Sequence, residues 1–178
     1  AAIKLIRNSA AYTDVYIIFG LLYRYSENES LHNQALVVGP DGEIIQTYNK
    51  IWENTTLDAP GVFEIDGIPC GMTICADRWL RIVEELPAFK GAKILIELSN
   101  NYTDEWIDDL GWFWYTPRAV RNNAFVVLAN SPYDRAVEEY TGYGSGHGHS
   151  VIIAPDGSPL AIAGGENGRI LAAELDLG

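Results

Sequence analysis

Two Pro-Asp-Gly turns, each set between apolar β-forming runs, constrain the fold of this chain more than any other feature. Ala35-Leu36-Val37-Val38 runs into Gly39-Pro40-Asp41-Gly42 and leaves through Glu43-Ile44-Ile45-Gln46-Thr47-Tyr48. Near the C-terminus, Ser150-Val151-Ile152-Ile153-Ala154 runs into Pro155-Asp156-Gly157 and leaves through Ser158-Pro159-Leu160-Ala161-Ile162. In such a turn proline presets φ, aspartate bonds the backbone locally and glycine accepts φ > 0. Each turn therefore predicts an antiparallel hairpin. One hairpin type occurring twice predicts two β-sheets, or one internally symmetric core.

Between the hairpins, strand and helix patterns alternate. Strands are expected at 15–22, 68–74, 93–98 and 125–130, with a final one at 169–175, and helices at 78–89 and 111–123. Alternation of this kind is the signature of α/β layering, to which the hairpins add antiparallel pairs. The expected architecture is a mixed sheet arrangement with helices over its outer faces. No linker or low-complexity stretch interrupts residues 1–178, which predicts one domain. The polar, glycine-rich loop 132–148 is expected to be mobile or functional.

Composition narrows the function. Apolar residues make up 48% and charged residues 20%, as in globular proteins, and the formal net charge is −12. Nucleic-acid binding rests on phosphate neutralisation by Lys and Arg, so this balance argues against a nucleic-acid partner. No apolar run approaches a membrane span, and the first residues lack a signal-peptide pattern. The two cysteines, Cys70 and Cys75, lie on one predicted strand with side chains on opposite faces and are read as free thiols, which points to the cytosol. Sequons at Asn28, Asn54 and Asn101 pull the other way, but such triplets are common by chance.

Cys75 ends an apolar run, Gly71-Met72-Thr73-Ile74-Cys75, and directly precedes Ala76-Asp77-Arg78-Trp79. A cysteine at a strand–helix junction has its sulfur near a helix N-terminus, where unpaired N–H groups favour thiolate. Cys75 is thus a candidate nucleophile, with a buried structural thiol as the alternative. Lys50 is either an exposed strand-end lysine or a cation beside the sulfur that stabilises an oxyanion. Glu53 is either a loop carboxylate or a group positioning Lys50 or a substrate amine. Asp77 and Arg78 are either an ordinary helix start or a buried pair behind the nucleophile. His147 and His149, in Gly146-His147-Gly148-His149-Ser150, offer a partner for a Cys–His hydrolase or a metal. The favoured reading is a turn whose histidine bonds backbone, with no metal. Trp106, Trp112 and Trp114 belong to a core, a pocket or a subunit interface.

Taken together, Asn33-to-Lys50 (NQALVVGPDGEIIQTYNK), Gly71-Met72-Thr73-Ile74-Cys75-Ala76-Asp77-Arg78-Trp79, Gly91-Ala92 with its following strand, Arg118-Ala119-Val120-Arg121-Asn122, residues 124–130, Gly148-His149-Ser150, Pro155-Asp156-Gly157 and Ala173-Glu174-Leu175-Asp176 closely resemble the nitrilase superfamily of carbon–nitrogen hydrolases. The match runs through nearly the whole chain in the family's order. The resemblance implies an α-β-β-α sandwich and a Glu–Lys–Cys triad. Lys50 matches the triad lysine, Cys75 the nucleophile and Glu53 a second glutamate. It implies an oxyanion donor at Ala76 N–H, and a pocket rim drawn from Trp79, Asn100, Asn101 and Tyr102. A structural role for His149 follows too. Arg121 stands where the family usually carries glutamate.

The resemblance further implies hydrolysis of a small linear amide or carbamoyl compound through a cysteine thioester, with neither metal nor organic cofactor, by a homo-oligomer. Its general-base glutamate lies upstream of the lysine, in a region expected to precede Ala1. Glu27 and Glu29, in a polar loop, are not assigned to that role. The chain is accordingly expected to be an N-terminally incomplete domain, unstable alone or in need of a partner. The alternative function is an inactive homologue that serves as a binding or assembly module.

Overall fold

The computed structural model describes residues 1–24, 26–52, 62–100, 115–132, 146–165 and 169–178. A three-stranded antiparallel sheet is formed by β1 (Ile17–Tyr23), β2 (His32–Val38) and β3 (Ile44–Asn49), in that order. A second sheet holds β4 (Val62–Ile65), β5 (Ile68–Ile74), β6 (Ile94–Ser99), β7 (Phe125–Asn130), β8 (Val151–Ile153) and β9 (Pro159–Ile162), also in chain order. Its centre, β5-β6-β7, is parallel, and the remaining pairs are antiparallel. Helix α1 (Ala2–Thr13) precedes β1, while α2 (Arg81–Phe89) and α3 (Thr116–Asn122) lie in the two parallel crossovers. Parallel neighbours need such crossovers, because a tight turn can only reverse the chain.

The two hairpins are the same device in different sheets. At the first, Gly39 N–H donates to Glu43 O (2.8 Å) and Glu43 N–H to Asp41 Oδ1 (2.9 Å). At the second, Ala154 N–H donates to Ser158 O (2.8 Å) and Ser158 N–H to Asp156 Oδ1 (2.8 Å). Gly42 and Gly157 hold φ +77° and +89°. Each turn also carries a helix. A Cβ at Gly42 would meet Arg7 O of α1 at 2.9 Å, and one at Gly157 would meet Thr116 and Val120 of α3 at 2.9 Å.

The two sheets share a core. Ala35, Val37 and Tyr48 of the first pack with Phe63, Cys70, Met72, Ile74 and Ile96 of the second. Because side chains alternate along a strand, the intervening residues of the second sheet face the helices. Gly71 is where α2 lands: a Cβ there would fall 2.4 Å from Pro87. Leu95, Val126 and Leu128 pack with Tyr115 and Ala119 at the α3 side. With α1 against β2, the layers read helix, sheet, sheet, helix, as expected. None of the described helices is long and apolar enough to cross a membrane.

Three expectations change. The helix expected from 78 begins at Arg81. Cys75–Trp79 is a separate 3₁₀ turn, divided from α2 by Leu80 in an extended conformation (φ −89°, ψ 92°). The Asp77 side chain reaches back to the N–H of Ile74, the residue that opens this 3₁₀ turn, rather than to the N-terminus of α2. Residues 169–178 form no strand; Ile170 is 95% exposed, so the apolar alternation there buries no face. Of the helix expected over 111–123, the described part is α3, begun by Pro117 in its first turn and closed by left-handed Asn123 (φ 47°). Residues 133–145 of the glycine-rich loop lie outside the described residues.

Candidate active site

The parallel strands β5, β6 and β7 all point their C-terminal ends at one cleft, the usual place for a ligand in an open α/β sheet. Its volume is about 880 Å³. Cys75 and Ala76 enter it from the end of β5, Ser99 and Asn100 from β6, and Asn130 and Ser131 from β7. Lys50 and Trp52 come from the opposite sheet, just past β3. Two residues predicted for the site on separate grounds, Lys50 and Cys75, are therefore walls of the same cavity. Lys50 is only 8% exposed, which removes the reading of a solvated strand-end lysine.

Cys75 adopts φ +49°. The other described non-glycine residues with positive φ are Asp14, Asp66, Asn123 and His149, types that visit this region more readily. For cysteine the conformation is strained and must be held by its surroundings. Asp77 Oδ2 accepts the N–H of Ile74 at 3.1 Å, just before Cys75, and Arg78 Nη1 donates to the Cys75 carbonyl at 3.2 Å, just after it. The dipole of an α-helix does not act on the sulfur, since α2 starts at Arg81 and the effect is confined to a helix's first turn. The second thiol, Cys70, is buried between the sheets, and burial pushes it up to about 11. It is a structural thiol, inert at neutral pH.

Asp77 joins the two walls. Its carboxylate is fully buried and accepts four hydrogen bonds. Oδ1 takes Ile51 N–H (3.0 Å) and Trp52 N–H (2.8 Å), and Oδ2 takes the Tyr48 hydroxyl (2.7 Å) as well as Ile74 N–H. Three of these donors bracket Lys50 and the fourth precedes Cys75. Burial, then the adjacent Asp77 charge, hold the Tyr48 hydroxyl far above its ordinary pKa, so it remains a donor. Behind Cys75, Asp77 is buried and Arg78 half-buried, but each is paired elsewhere rather than with the other.

The partner of Arg78 is Glu97, which sequence reasoning missed. Glu97 is fully buried on β6, with Oε1 at 2.8 Å from Arg78 Nη1 and Oε2 bonded to Arg118 Nη1. The charges continue outward. Arg118 Nε lies 3.1 Å from Glu84 Oε1, close enough for an ion pair though not aligned as a hydrogen bond. Arg121 then pairs with Glu84 (2.6 Å) and Glu85 (2.8 Å), and Arg81 with Glu85 (2.7 Å). Burial lowers the Arg78 pKa, but Glu97, Tyr115 and Cys75 oppose it and the net shift is upward. Arg78 stays charged. The signal for Glu97 is visible in Ile94-Leu95-Ile96-Glu97-Leu98, an acid inside an apolar strand, which a folded protein tolerates only with a partner.

The remaining candidates fall as follows. Asn100 lines the cleft. Trp79 is half-exposed, stacked under the Arg78 guanidinium at 5.0 Å, and is not among the residues lining the cleft. Glu53, Asn101, Tyr102, Trp106, Trp112 and Trp114 lie outside the described residues. His149 Nδ1 is 2.8 Å from His147 O, a backbone bond within the turn. Asn130 Nδ2 donates to Gly148 O (2.7 Å) and thereby seats that turn at the end of β7. Burial, and then the neighbouring His149, lower the His147 pKa. Glu27 and Glu29 are exposed. Among the described residues no group of three or more His, Cys, Asp or Glu is placed to hold a metal ion.

A family model described as carbon-nitrogen hydrolase matches residues 1–178. The 2-oxoglutaramate amidase of Bacillus subtilis is 30% identical over 188 residues, covering 97% of this chain and 66% of that protein. An omega-amidase of Xenopus tropicalis is 27% identical over 183 residues, covering 92% and 62%. The chain thus spans a little under two thirds of the length of these relatives. An amidase from Nesterenkonia sp. superposes with a TM-score of 0.78 at 20% identity, over 94% of this chain and 64% of that one. A carbon–nitrogen hydrolase from Helicobacter pylori gives 0.74 at 19%, over 93% and 63%. At those identities the likeness is one of fold.

Proposed function

Because the chain belongs to the carbon-nitrogen hydrolase family, we propose that its cleft hydrolyses a non-peptide carbon–nitrogen bond in a small linear amide or carbamoyl compound, with Cys75 as the nucleophile. The observation that carries this reading is the meeting of Lys50 and Cys75 in one cavity, from two different sheets, with Asp77 tying their backbones together. The amidase names of the relatives support an amide over a nitrile. In a mutant of the Nesterenkonia amidase, the acetamide moiety of fluoroacetamide is added covalently at the active-site cysteine.

The chemistry follows from the arrangement. The Cys75 sulfur attacks the amide carbon, and its proton passes to a carboxylate that the family pattern places ahead of the lysine. The carbonyl electron pair moves to oxygen, where the Lys50 ammonium and the Ala76 N–H receive the charge. The C–N bond then breaks, the nitrogen leaves protonated as ammonia or amine, and a thioester remains on Cys75. Water, deprotonated by the same carboxylate, attacks the thioester and frees the acid and the thiol. Neither metal nor organic cofactor takes part. Glu53 is the second carboxylate of this scheme, and Asn100, Asn101 and Tyr102 shape the substrate end; Trp79, which stands outside the cleft, takes no part in it.

The test is made on the full-length protein. Mixed with a small linear amide and quenched in acid, the wild type should gain the mass of one acyl group. Cys75→Ala should show no such gain and lose at least about 10³-fold in turnover, the scale for removing a covalent nucleophile. Full turnover in Cys75→Ala would sink the assignment.

A further inference from the structure

We propose that Glu97 is a positioning residue for the oxyanion donor of Cys75's site, acting through Arg78. The inference rests on Cys75 being the nucleophile. Glu97 lies beside the strand end that launches Cys75: it pairs in register with Thr73, and Leu98 with Ile74. Its Oε1 holds Arg78 Nη1 at 2.8 Å, and the same Nη1 donates to the Cys75 carbonyl at 3.2 Å. That carbonyl and the Ala76 N–H belong to one planar peptide unit, in which they point in opposite directions. Fixing the carbonyl oxygen behind the strand therefore fixes the direction of the Ala76 N–H, and Ala76 lines the cleft.

The arrangement suits that task. Cys75 sits in a left-handed conformation that its own backbone disfavours, so its peptide plane needs an external hold. Asp77 supplies one on the N-terminal side through Ile74 N–H, and Arg78 supplies one on the C-terminal side. Arg78 in turn is fixed by an acid with no exposure at all, itself braced by Arg118. An ion pair present only to join β6 to the helices would not need a donor shared with the nucleophile's carbonyl. The outer pairs of the same network join Arg121 to Glu84 and Glu85 and serve as the internal control.

Oxyanion support matters when an amide oxygen becomes charged. It matters little when the thiol displaces a halide, because no oxyanion forms. Full-length wild type, Glu97→Gln, Arg78→Lys and Arg121→Gln are therefore compared in two reactions: turnover of a small linear amide, and alkylation of Cys75 by iodoacetamide across pH. Arg78→Lys keeps the charge but cannot serve Glu97 and the Cys75 carbonyl with one planar fork.

The expected result for Glu97→Gln and Arg78→Lys is a kcat lowered about 10- to 100-fold, the cost of a slight misplacement of a catalytic group. KM should move less than about threefold and the alkylation profile should hold, because the thiol and the pocket are intact. Arg121→Gln should lose thermal stability and keep its kcat. Wild-type kcat in both inner variants would overturn the proposal, as would alkylation falling in step with turnover. If Glu97→Gln does not fold, Arg78→Lys decides; if neither folds, the network is structural and the proposal fails. Absence of wild-type acylation at Cys75 would instead overturn the functional reading on which it stands.

Discussion

Two buried carboxylates stand behind Cys75, and they meet the cost of burial in different ways. Asp77 is surrounded by three backbone N–H groups and one tyrosine hydroxyl. Glu97 is surrounded by two guanidinium groups. A carboxylate bonded to backbone amides pins the main chain itself, here the residues around Lys50 and the one before Cys75. A carboxylate bonded to arginines pins side chains, and it passes its charge on to whatever those arginines also touch. Asp77 joins two sheets at the site. Glu97 joins the site to the helix layer. The difference teaches that burial alone does not say what an acid is for; the kind of donor around it does.

The comparison can be broken by experiment, beginning where the effect should be largest. Arg118→Met removes the cation between Glu97 and Glu84, both buried, and leaves each short of a partner. Loss of one member of a buried ion network costs about 3–5 kcal/mol, to be read from urea unfolding. A loss below about 1 kcal/mol would mean that the carboxylates find other partners and that the network is not the anchor of the helix layer. Asp77→Asn keeps the shape but turns half of an all-acceptor group into a donor that faces N–H and O–H donors. It should cost about 2–4 kcal/mol, since bonds to a charged acceptor are worth about 1.5–3 kcal/mol each. It should also lower turnover, because Lys50 and Cys75 lose their common tie. Stability lost with kcat unchanged would show that Asp77 joins the sheets without setting the site. Arg81→Ala, at the exposed end of the ion network (side chain 75% exposed), should leave the urea midpoint essentially where it is, because solvent screens an exposed i,i+4 pair. A lowered midpoint would show that the network acts as one unit out to the surface.

Much of the fold was legible from residue patterns, and the reason is locality. The two hairpins depend on Pro, Asp and Gly at adjacent positions, and both formed with the same hydrogen bonds. The strand 68–74 formed with the bounds expected from its apolar run. Where locality fails, so did the pattern. Residues 169–175 have a strand's composition, yet a strand requires a neighbour, and none of the described strands pairs with them. The helix expected from 78 starts at Arg81 because Asp77, which has the chemistry of a helix start, is drawn to amides from another part of the chain. Cys75 and Lys50 were legible as a candidate nucleophile and its cation. That α2 begins only at Arg81, well past the thiol, was not legible there.

By itself, then, the sequence determined the list of chemically able residues and the segments that carry them. It holds a thiol at a strand end, a lysine after a hairpin, and an acid in the middle of an apolar strand. Only the tertiary structure decided which of these meet. Lys50 and Cys75 come from different sheets, and the cavity between them exists because the sheets pack face to face. Glu97 finds Arg78 and Arg118 from two separate crossovers, one on each side of its strand. Such pairings arise from long-range packing and from the need to satisfy buried charge, and neither has a signature in residue spacing.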